Sequence, residues 1–261
     1  MRRALAGLLL LAAASTTASA SERHFTYTYE SAVLHPGGRE FEPWSTFRLG
    51  RDGFYARLDT RLEAELGVTD RLQTSLYLNL SSLNRDTPLG RESSTTLEGL
   101  SSEWKLKLSD PVADRAGLAL YGELSGGPGE AEVEGKLILD KRVGRWLGAL
   151  NLTAEHGWEF EEQGGTAHES VFELTAAACY FLRPGLTAGL ELRSHTVLPP
   201  GDEKTRSALF LGPSVSYSRQ GWWIAASALP QLRALAGASS GSRDLVEHEK
   251  VELRLIFGLE F

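Results

Sequence analysis

The last eleven residues, Val251 to Phe261, read V-E-L-R-L-I-F-G-L-E-F. Side chains of a strand point alternately to opposite faces. Val251, Leu253, Leu255, Phe257, Leu259 and Phe261 therefore share one face, and Glu252, Arg254, Ile256, Gly258 and Glu260 share the other. The first face is wholly apolar and the second mostly polar. A strand of this kind has to separate an apolar surrounding from a polar one.

The pattern recurs along the chain. Alternating segments are expected at about 39–48, 53–66, 71–81, 95–109, 115–125, 130–141, 146–160, 167–182, 186–196, 206–218, 222–235 and 246–261. Most reach the roughly 9–11 residues that a tilted strand needs to cross hydrocarbon, whereas strands of soluble sandwiches average about 5–6. Compact links at 67–70, 110–114, 143–145, 183–185 and 219–221 interleave with longer or more polar ones at 82–94, 161–166, 197–205 and 236–245. The links at 49–52 and 126–129 are short exceptions among the latter group. This is the rhythm of an outer-membrane barrel, with short periplasmic turns and longer outer loops. The expected fold is all-β: a transmembrane antiparallel up-and-down β-barrel of about twelve strands, both termini periplasmic. The alternative is a soluble β-sandwich with one wet face, which ordinarily uses shorter strands. The closing strand with its C-terminal Phe resembles the last strand of bacterial outer-membrane barrels. That resemblance implies that Phe261 belongs to the signal read by the barrel-assembly machinery.

The N-terminus agrees with export. Arg2-Arg3, the apolar run from Ala4 to Ala14 and Ala18-Ser19-Ala20 form a charged region, a short hydrophobic region and an A-x-A cleavage site. Residues 1–20 are thus expected to be a cleaved secretory signal peptide. Residues 21–38 would be a periplasmic N-terminal segment with a short extra strand or plug, and 39–261 the barrel. Removing residues 1–20 takes away two arginines and no acids, leaving 25 basic against 34 acidic side chains, a formal charge of −9. That balance argues against a nucleic-acid partner. The mean hydropathy is −0.20 and the mature chain has no long apolar run, which excludes a helical membrane protein. The single Cys179 excludes an intramolecular disulfide framework.

In the second segment Phe54, Ala56, Leu58, Thr60, Leu62 and Ala64 are expected to face lipid. Outward Trp146, Trp158, Tyr180, Tyr217 and Trp222 near segment ends fit interfacial aromatic girdles. The inner faces carry the candidate lumen-lining residues: Arg57, Asp59, Arg61, Glu63, Glu65, Glu103, Lys105, Lys107, Glu123, Glu132, Glu134, Lys136, Glu155, Glu159, Glu173, Glu191, Arg193, Glu252 and Arg254. These charges either pair across the interior and brace a closed structural or surface-interaction barrel, or line a narrow, mildly cation-preferring passage for a small solute. Twelve strands lie between the eight that side chains can fill and the sixteen or so that leave an aqueous channel. Membrane lipid and the assembly machinery are the other expected partners.

Catalytic signals are thin, and no enzyme activity is expected. Twelve-stranded outer-membrane phospholipases carry an H-x-S pair. His168-Glu169-Ser170 has that spacing, but continues Ser170-Val171-Phe172 where that family has S-N-G, and no matching upstream Y-T-Q occurs. Asp202 and Glu203, with His195 nearby, are the only hint of an omptin-like protease rim. The six histidines show no ligand spacing, no G-x-x-x-x-G-K-[ST] occurs, and no cofactor or metal is expected.

The opening of the mature chain carries a family resemblance. Tyr27-Thr28-Tyr29-Glu30, Leu34-His35-Pro36-Gly37-Gly38 and Glu40-Phe41-Glu42-Pro43-Trp44 are followed by Gly67-Val68-Thr69-Asp70 and Asp114-Arg115-Ala116-Gly117. This resembles a group of uncharacterised proteobacterial outer-membrane barrels that open with Y-x-Y, an L-P-K-G-like turn and E-x-E-x-W. The turn here departs at the Pro and Lys positions. The resemblance implies a barrel and no established activity. In the G-V-T-D turn, Gly67 is expected to use its freedom at positive φ and Asp70 to hydrogen-bond the backbone.

Overall fold

The computed structural model describes residues 22–160, 164–201 and 204–261. Twelve antiparallel strands close into one barrel in which each strand pairs with its chain neighbours and β1 pairs with β12. They are β1 Arg39–Arg51, β2 Gly53–Gly67, β3 Leu72–Thr87, β4 Gly90–Ser109, β5 Gly117–Gly127, β6 Glu130–Val143, β7 Trp146–Phe160, β8 Thr166–Arg183, β9 Leu186–Leu198, β10 Arg206–Arg219, β11 Trp222–Ala236 and β12 Val251–Glu260. Closure leaves no sheet edge, which a strand assembly in lipid requires. Glu40 pairs with Glu260, and the Phe261 amide donates to the Arg39 carbonyl at 3.1 Å, so β1 begins and β12 ends at one end of the barrel. We call this the terminal end and the opposite one the loop end.

The alternation seen in the sequence sorts the side chains as expected. Leu253, Leu255, Leu259 and Phe261 are exposed on the outside, while Glu252 and Ile256 are buried inside. The exposed outer surface also carries Leu76, Leu100, Leu120, Leu124, Leu152, Phe172 and Leu190. At the terminal end Trp146 packs edge-on against Tyr180 at 5.1 Å, and Tyr217 against Trp222 at 5.7 Å. Trp158 and Phe160 are exposed at the loop end.

The terminal-end turns show which residues do the local work. In the 67–71 turn the Thr69 hydroxyl, rather than Asp70, accepts from the amides of Arg71 at 3.2 Å and Leu72 at 3.0 Å. Gly67 is not at positive φ; it is needed because a Cβ there would collide with the carbonyl of His35. After β4, Asp110 is held by Lys107 Nζ at 2.7 Å and by the amides of Val112 and Ala113. The Lys107 contact and the two backbone donors lower its carboxyl to about 2.

Two boundaries differ from expectation. The polar stretch 82–94 is a continuation of β3 and β4 around a two-residue turn, because Thr and Ser pair well across neighbouring strands. Residues 246–250 do not extend β12. Gln231 on β11 captures this loop from inside: its Nε2 donates to the carbonyls of Asp244 at 2.8 Å and Glu249 at 3.0 Å, and its Oε1 accepts from the Asp244 amide at 2.9 Å.

Leu152 pairs with Leu137 and Leu174 halfway along the outer wall. Leu152→Arg is expected to lower the stability of the lipid-folded protein by about 2–4 kcal/mol, measured by denaturant titration in phospholipid vesicles.

Candidate functional site

A closed barrel of twelve strands encloses space, and the chain fills half of it with its own N-terminal segment. Residues 24–34 form no strand. Their backbone donors go instead to side chains of the wall. The Thr26 and Tyr27 amides donate to the carboxylate of Glu191 on β9. The Tyr29 amide donates to Asn151 Oδ1 on β7 at 2.6 Å, and Asn151 Nδ2 returns to the Tyr29 carbonyl at 3.0 Å. Ser31 donates from its amide and its hydroxyl to Asp140 on β6 at 3.2 and 2.6 Å, and the Leu34 amide donates to Gln73 Oε1 on β3 at 2.8 Å. The segment thus winds along the inner wall from β9 to β3.

Its aromatic residues alternate and fill three hollows. Phe25 packs against Leu147, Ala149, Ala177 and Cys179. Tyr27 packs against Ala208, Phe210 and Leu229. Tyr29 lies 5.4 Å from the ring of Tyr121 and 6.3 Å from that of Trp44, in a buried cluster that also holds Ile138, Trp223 and Ile256. The hollows exist because the wall offers alanine at those points, Ala149 and Ala177 for Phe25, Ala208 for Tyr27 and Ala119 for Tyr29, and close approach of the segment further on needs a glycine. A Cβ at Gly117 would collide with Asp140 and with Ser31 of the segment. Cations cover the rings: Arg254 lies 3.6 Å from the Tyr27 centroid, and Arg23 and Lys136 lie 4.0 Å from that of Tyr29. Burial pushes the Tyr29 phenol up to about 12 in spite of these cations, so it stays neutral. Burial alone would lower His24, but Glu30 at 3.0 Å outweighs it and raises the imidazole above its usual value.

Above this plug lies a cavity of about 830 Å³ in the loop half of the barrel. Tyr27, Tyr29, Trp44 and Arg254 contribute to its lining where it meets the plug. Ten carboxylates and six cationic side chains line it, and they are segregated. Glu98, Glu123, Glu130, Glu132, Glu134, Glu155, Glu159, Glu169 and Glu173 come from β4–β8. Arg193, Arg254, Arg48, Arg57 and Arg61 come from β9, β12, β1 and β2, the opposite arc of the wall. Asp59 and Lys136 are the exceptions. Part of this charge forms one chain of ion pairs: Glu173 to Arg193 at 2.5 Å, Arg193 to Glu252 at 2.9 Å, Glu252 to Arg48 at 2.9 Å, Arg48 to Asp59 at 2.7 Å, Asp59 to Arg57 at 2.5 Å and Arg57 to Glu98 at 3.4 Å. Arg61 reaches Glu123 at 3.5 Å and Lys136 reaches Glu134 at 3.0 Å.

The residues singled out in the sequence fall into three groups. Arg57, Asp59, Arg61, Glu123, Glu132, Glu134, Lys136, Glu155, Glu159, Glu173, Arg193 and Arg254 line the cavity. Glu63, Glu65, Glu103, Lys105, Glu191 and Glu252 are buried. Lys107 stands at the terminal-end rim with Asp110. Sequence reasoning missed Glu40, Glu42, Trp44 and Arg48 on the inner face of β1, although the same alternation marks them against Phe41 and Phe47. It also missed the plug anchors Gln73, Asp140 and Asn151, which carry no pattern of their own.

His168 and Ser170 do not act as a pair. The contact of the Ser170 hydroxyl is His156 Nδ1 on β7, at 2.8 Å. His195 touches His248 Nε2 at 3.0 Å, and His248 touches Asp244 at 2.9 Å. Asp202 and Glu203 lie outside the described residues, as does the whole of residues 1–20.

The chain matches the Family of unknown function (DUF6662) over residues 17–261 and belongs to it. No curated protein matches. Among solved structures it is similar to an outer membrane channel from Pseudomonas putida F1, with 13% identity, a TM-score of 0.63, and coverage of 88% of this chain and 98% of that one. It is also similar to the NanC porin, with 10% identity, a TM-score of 0.53, and coverage of 85% and 100%. The β domain of the Bordetella autotransporter BrkA aligns with 13% identity, a TM-score of 0.51, and coverage of 87% and 100%. At these identities the likeness is one of fold.

Two outcomes follow for the plug. Glu191→Ala removes the acceptor of two buried amides. Charge-assisted hydrogen bonds contribute about 1.5–3 kcal/mol each, so hydrogen-exchange protection at Thr26 and Tyr27 is expected to fall by at least tenfold, with less change in Glu191→Gln. The raised His24 pKa sets the direction of a pH effect. Its pair with Glu30 stabilises fully below about 6.5, and that contribution is lost as pH rises through the folded value. Tryptic clipping after Arg23 is expected to quicken over that rise in the wild type, relative to His24→Gln.

Proposed function

We propose that this member of the family is an outer-membrane barrel of the channel type, whose passage for small cationic solutes is closed at the terminal end by residues 22–34. The observation that carries this reading is the segregated charge of the cavity. Acids on one arc facing arginines on the other set a field across the lumen, and the excess of acids favours cations. A barrel stabilised only as a scaffold has no need of an 830 Å³ polar chamber, since filling it with apolar side chains would be equally stable or more so. The plug supports gating because no sheet pairing holds it. Its anchors are side-chain hydrogen bonds, which can be released without opening the wall.

In this reading the terminal end faces the periplasm and the chain is exported by its N-terminal signal. The C-terminal strand ending in Phe261 serves assembly. Solute would enter from the loop end and wait above Tyr27 and Tyr29.

The ion-pair chain from Glu173 to Glu98 favours a second reading, a closed barrel that is braced from within. Planar-bilayer recordings separate the two. The mature chain is expected to conduct little, and a variant lacking residues 22–34 to form cation-selective pores. Heat-modifiable mobility on a gel verifies that the variant is folded. Folded, plug-free barrels with no conductance above the lipid baseline would favour the bracing reading and sink the channel.

A further inference from the structure

The terminal half of the barrel contains a second charged feature, separate from the cavity. The register places Glu40, Glu65, Ser75 and Glu103 directly opposite one another on β1, β2, β3 and β4. Glu42 and Glu63 pair one step further along β1 and β2. All six residues are at most 8% exposed. Like charges directly opposite on neighbouring strands destabilise a sheet, and buried charges require partners.

Those partners are missing. Among the described residues none of the five glutamates has an ion pair within 4.0 Å, in contrast to the paired acids around the cavity. Trp223 Nε1 donates to Glu40, Trp44 Nε1 to Glu42 at 2.9 Å, and Gln73 Nε2 to Glu65 at 2.8 Å. Five buried oxygens of the cluster have no hydrogen-bond partner: Glu40 Oε2, Glu63 Oε2, both carboxylate oxygens of Glu103, and the hydroxyl of Ser75, a neutral group between Glu65 and Glu103. Arg23 and Lys105 line a cavity of about 10 Å³ beside Glu42 and Glu65, and they offset two of the five charges.

We propose that Glu63, Glu65 and Glu103, with the Ser75 hydroxyl, bind a hard divalent cation, for which Ca²⁺ is the best match. One oxygen from each of the three glutamates lies within 4.8 Å of the others. Ligands across a Ca²⁺ ion at 2.3–2.6 Å stand up to about 5 Å apart. All the donors are oxygen, the ligand type of hard cations, and Ca²⁺ accepts irregular sets of six to eight, whereas Mg²⁺ demands near-octahedral geometry. The site is connected to the plug, because Gln73 bonds Glu65 with one end and the Leu34 amide with the other. The cation would therefore fasten the segment that closes the barrel. The site itself needs no passage through the lumen, so it stands or falls apart from the channel reading.

The test uses the mature chain folded in neutral detergent, stripped with a chelator and titrated with CaCl₂ alone by calorimetry and tryptophan emission. Trp44 and Trp223 report locally because they bond Glu42 and Glu40. Saturable binding near one Ca²⁺ per chain, with a change in emission and a higher Tm, is expected. Glu103→Gln should weaken binding at least tenfold. If that variant does not fold, Ser75→Ala, which removes only a neutral oxygen, should weaken it several-fold. Absence of saturable binding up to about 10 mM, an order above the weakest extracellular Ca²⁺ modules, would overturn the proposal. So would unchanged affinity in the variants, or a pH transition in the emission that Ca²⁺ does not shift, which would assign protons to the cluster.

Discussion

The structure depends on one requirement: every polar group enclosed by the barrel has to find a partner there. The outer face meets this cheaply, since closed strand pairing satisfies the wall backbone and mostly apolar side chains project outward. The inner face cannot. Twelve strands bring inward more carboxylates, amides and guanidinium groups than neighbouring strands can pair, and leave a space too wide for those side chains to span. The N-terminal segment resolves the terminal half of this problem. Its amides need acceptors, and Glu191, Asn151, Asp140 and Gln73 need donors. Strand-like pairing would have required an edge, which a closed barrel does not have.

The loop half resolves the same requirement differently. There water can enter, and charges remain solvated or pair in a chain from Glu173 to Glu98. Removing one member, such as the fully buried Glu252 held by both Arg48 and Arg193, would cut the chain in two and leave Arg48 with Asp59 and Arg193 with Glu173 alone on either side of the gap. Breaking buried pairs of this kind typically costs about 3–5 kcal/mol. The arcs of opposite charge are thus stable because their junctions are paired, while the acids of β6 and β7, none of which has an ion pair with an arginine among the described residues, give the chamber its net sign.

Much of this was legible in the sequence because a strand in a barrel wall has one simple period. Val251–Phe261, Phe54–Glu65 and Thr95–Ser109 each display it, and the positions of the turns fixed an even strand number. The period marks a residue as inward but not what it meets there. Arg193 and Glu252 lie on strands three apart in the barrel, so their pairing required the closed structure. The plug has no period, and its anchors are single polar residues among many. The Y-x-Y motif was visible, but its purpose was not, because it depends on hollows built by Ala119 and Ala208 far along the chain. Residues 246–250 misled for a local reason. They run into β12 with no Gly or Pro to mark a break, yet Gln231 on β11 takes the carbonyls of Asp244 and Glu249 and holds them as a loop.

The central claim is that residues 24–34 occupy the terminal half of the lumen. Thr26 and Ser227 place their hydroxyl oxygens 2.5 Å apart across it, so a cross-link between these positions tests it most directly. In a Cys179→Ser background, the Thr26→Cys, Ser227→Cys pair should oxidise to an intramolecular disulfide in the folded barrel, with neither thiol reached by a bulky maleimide beforehand. Failure to cross-link, with the thiol at position 26 freely labelled from solution, would contradict the account.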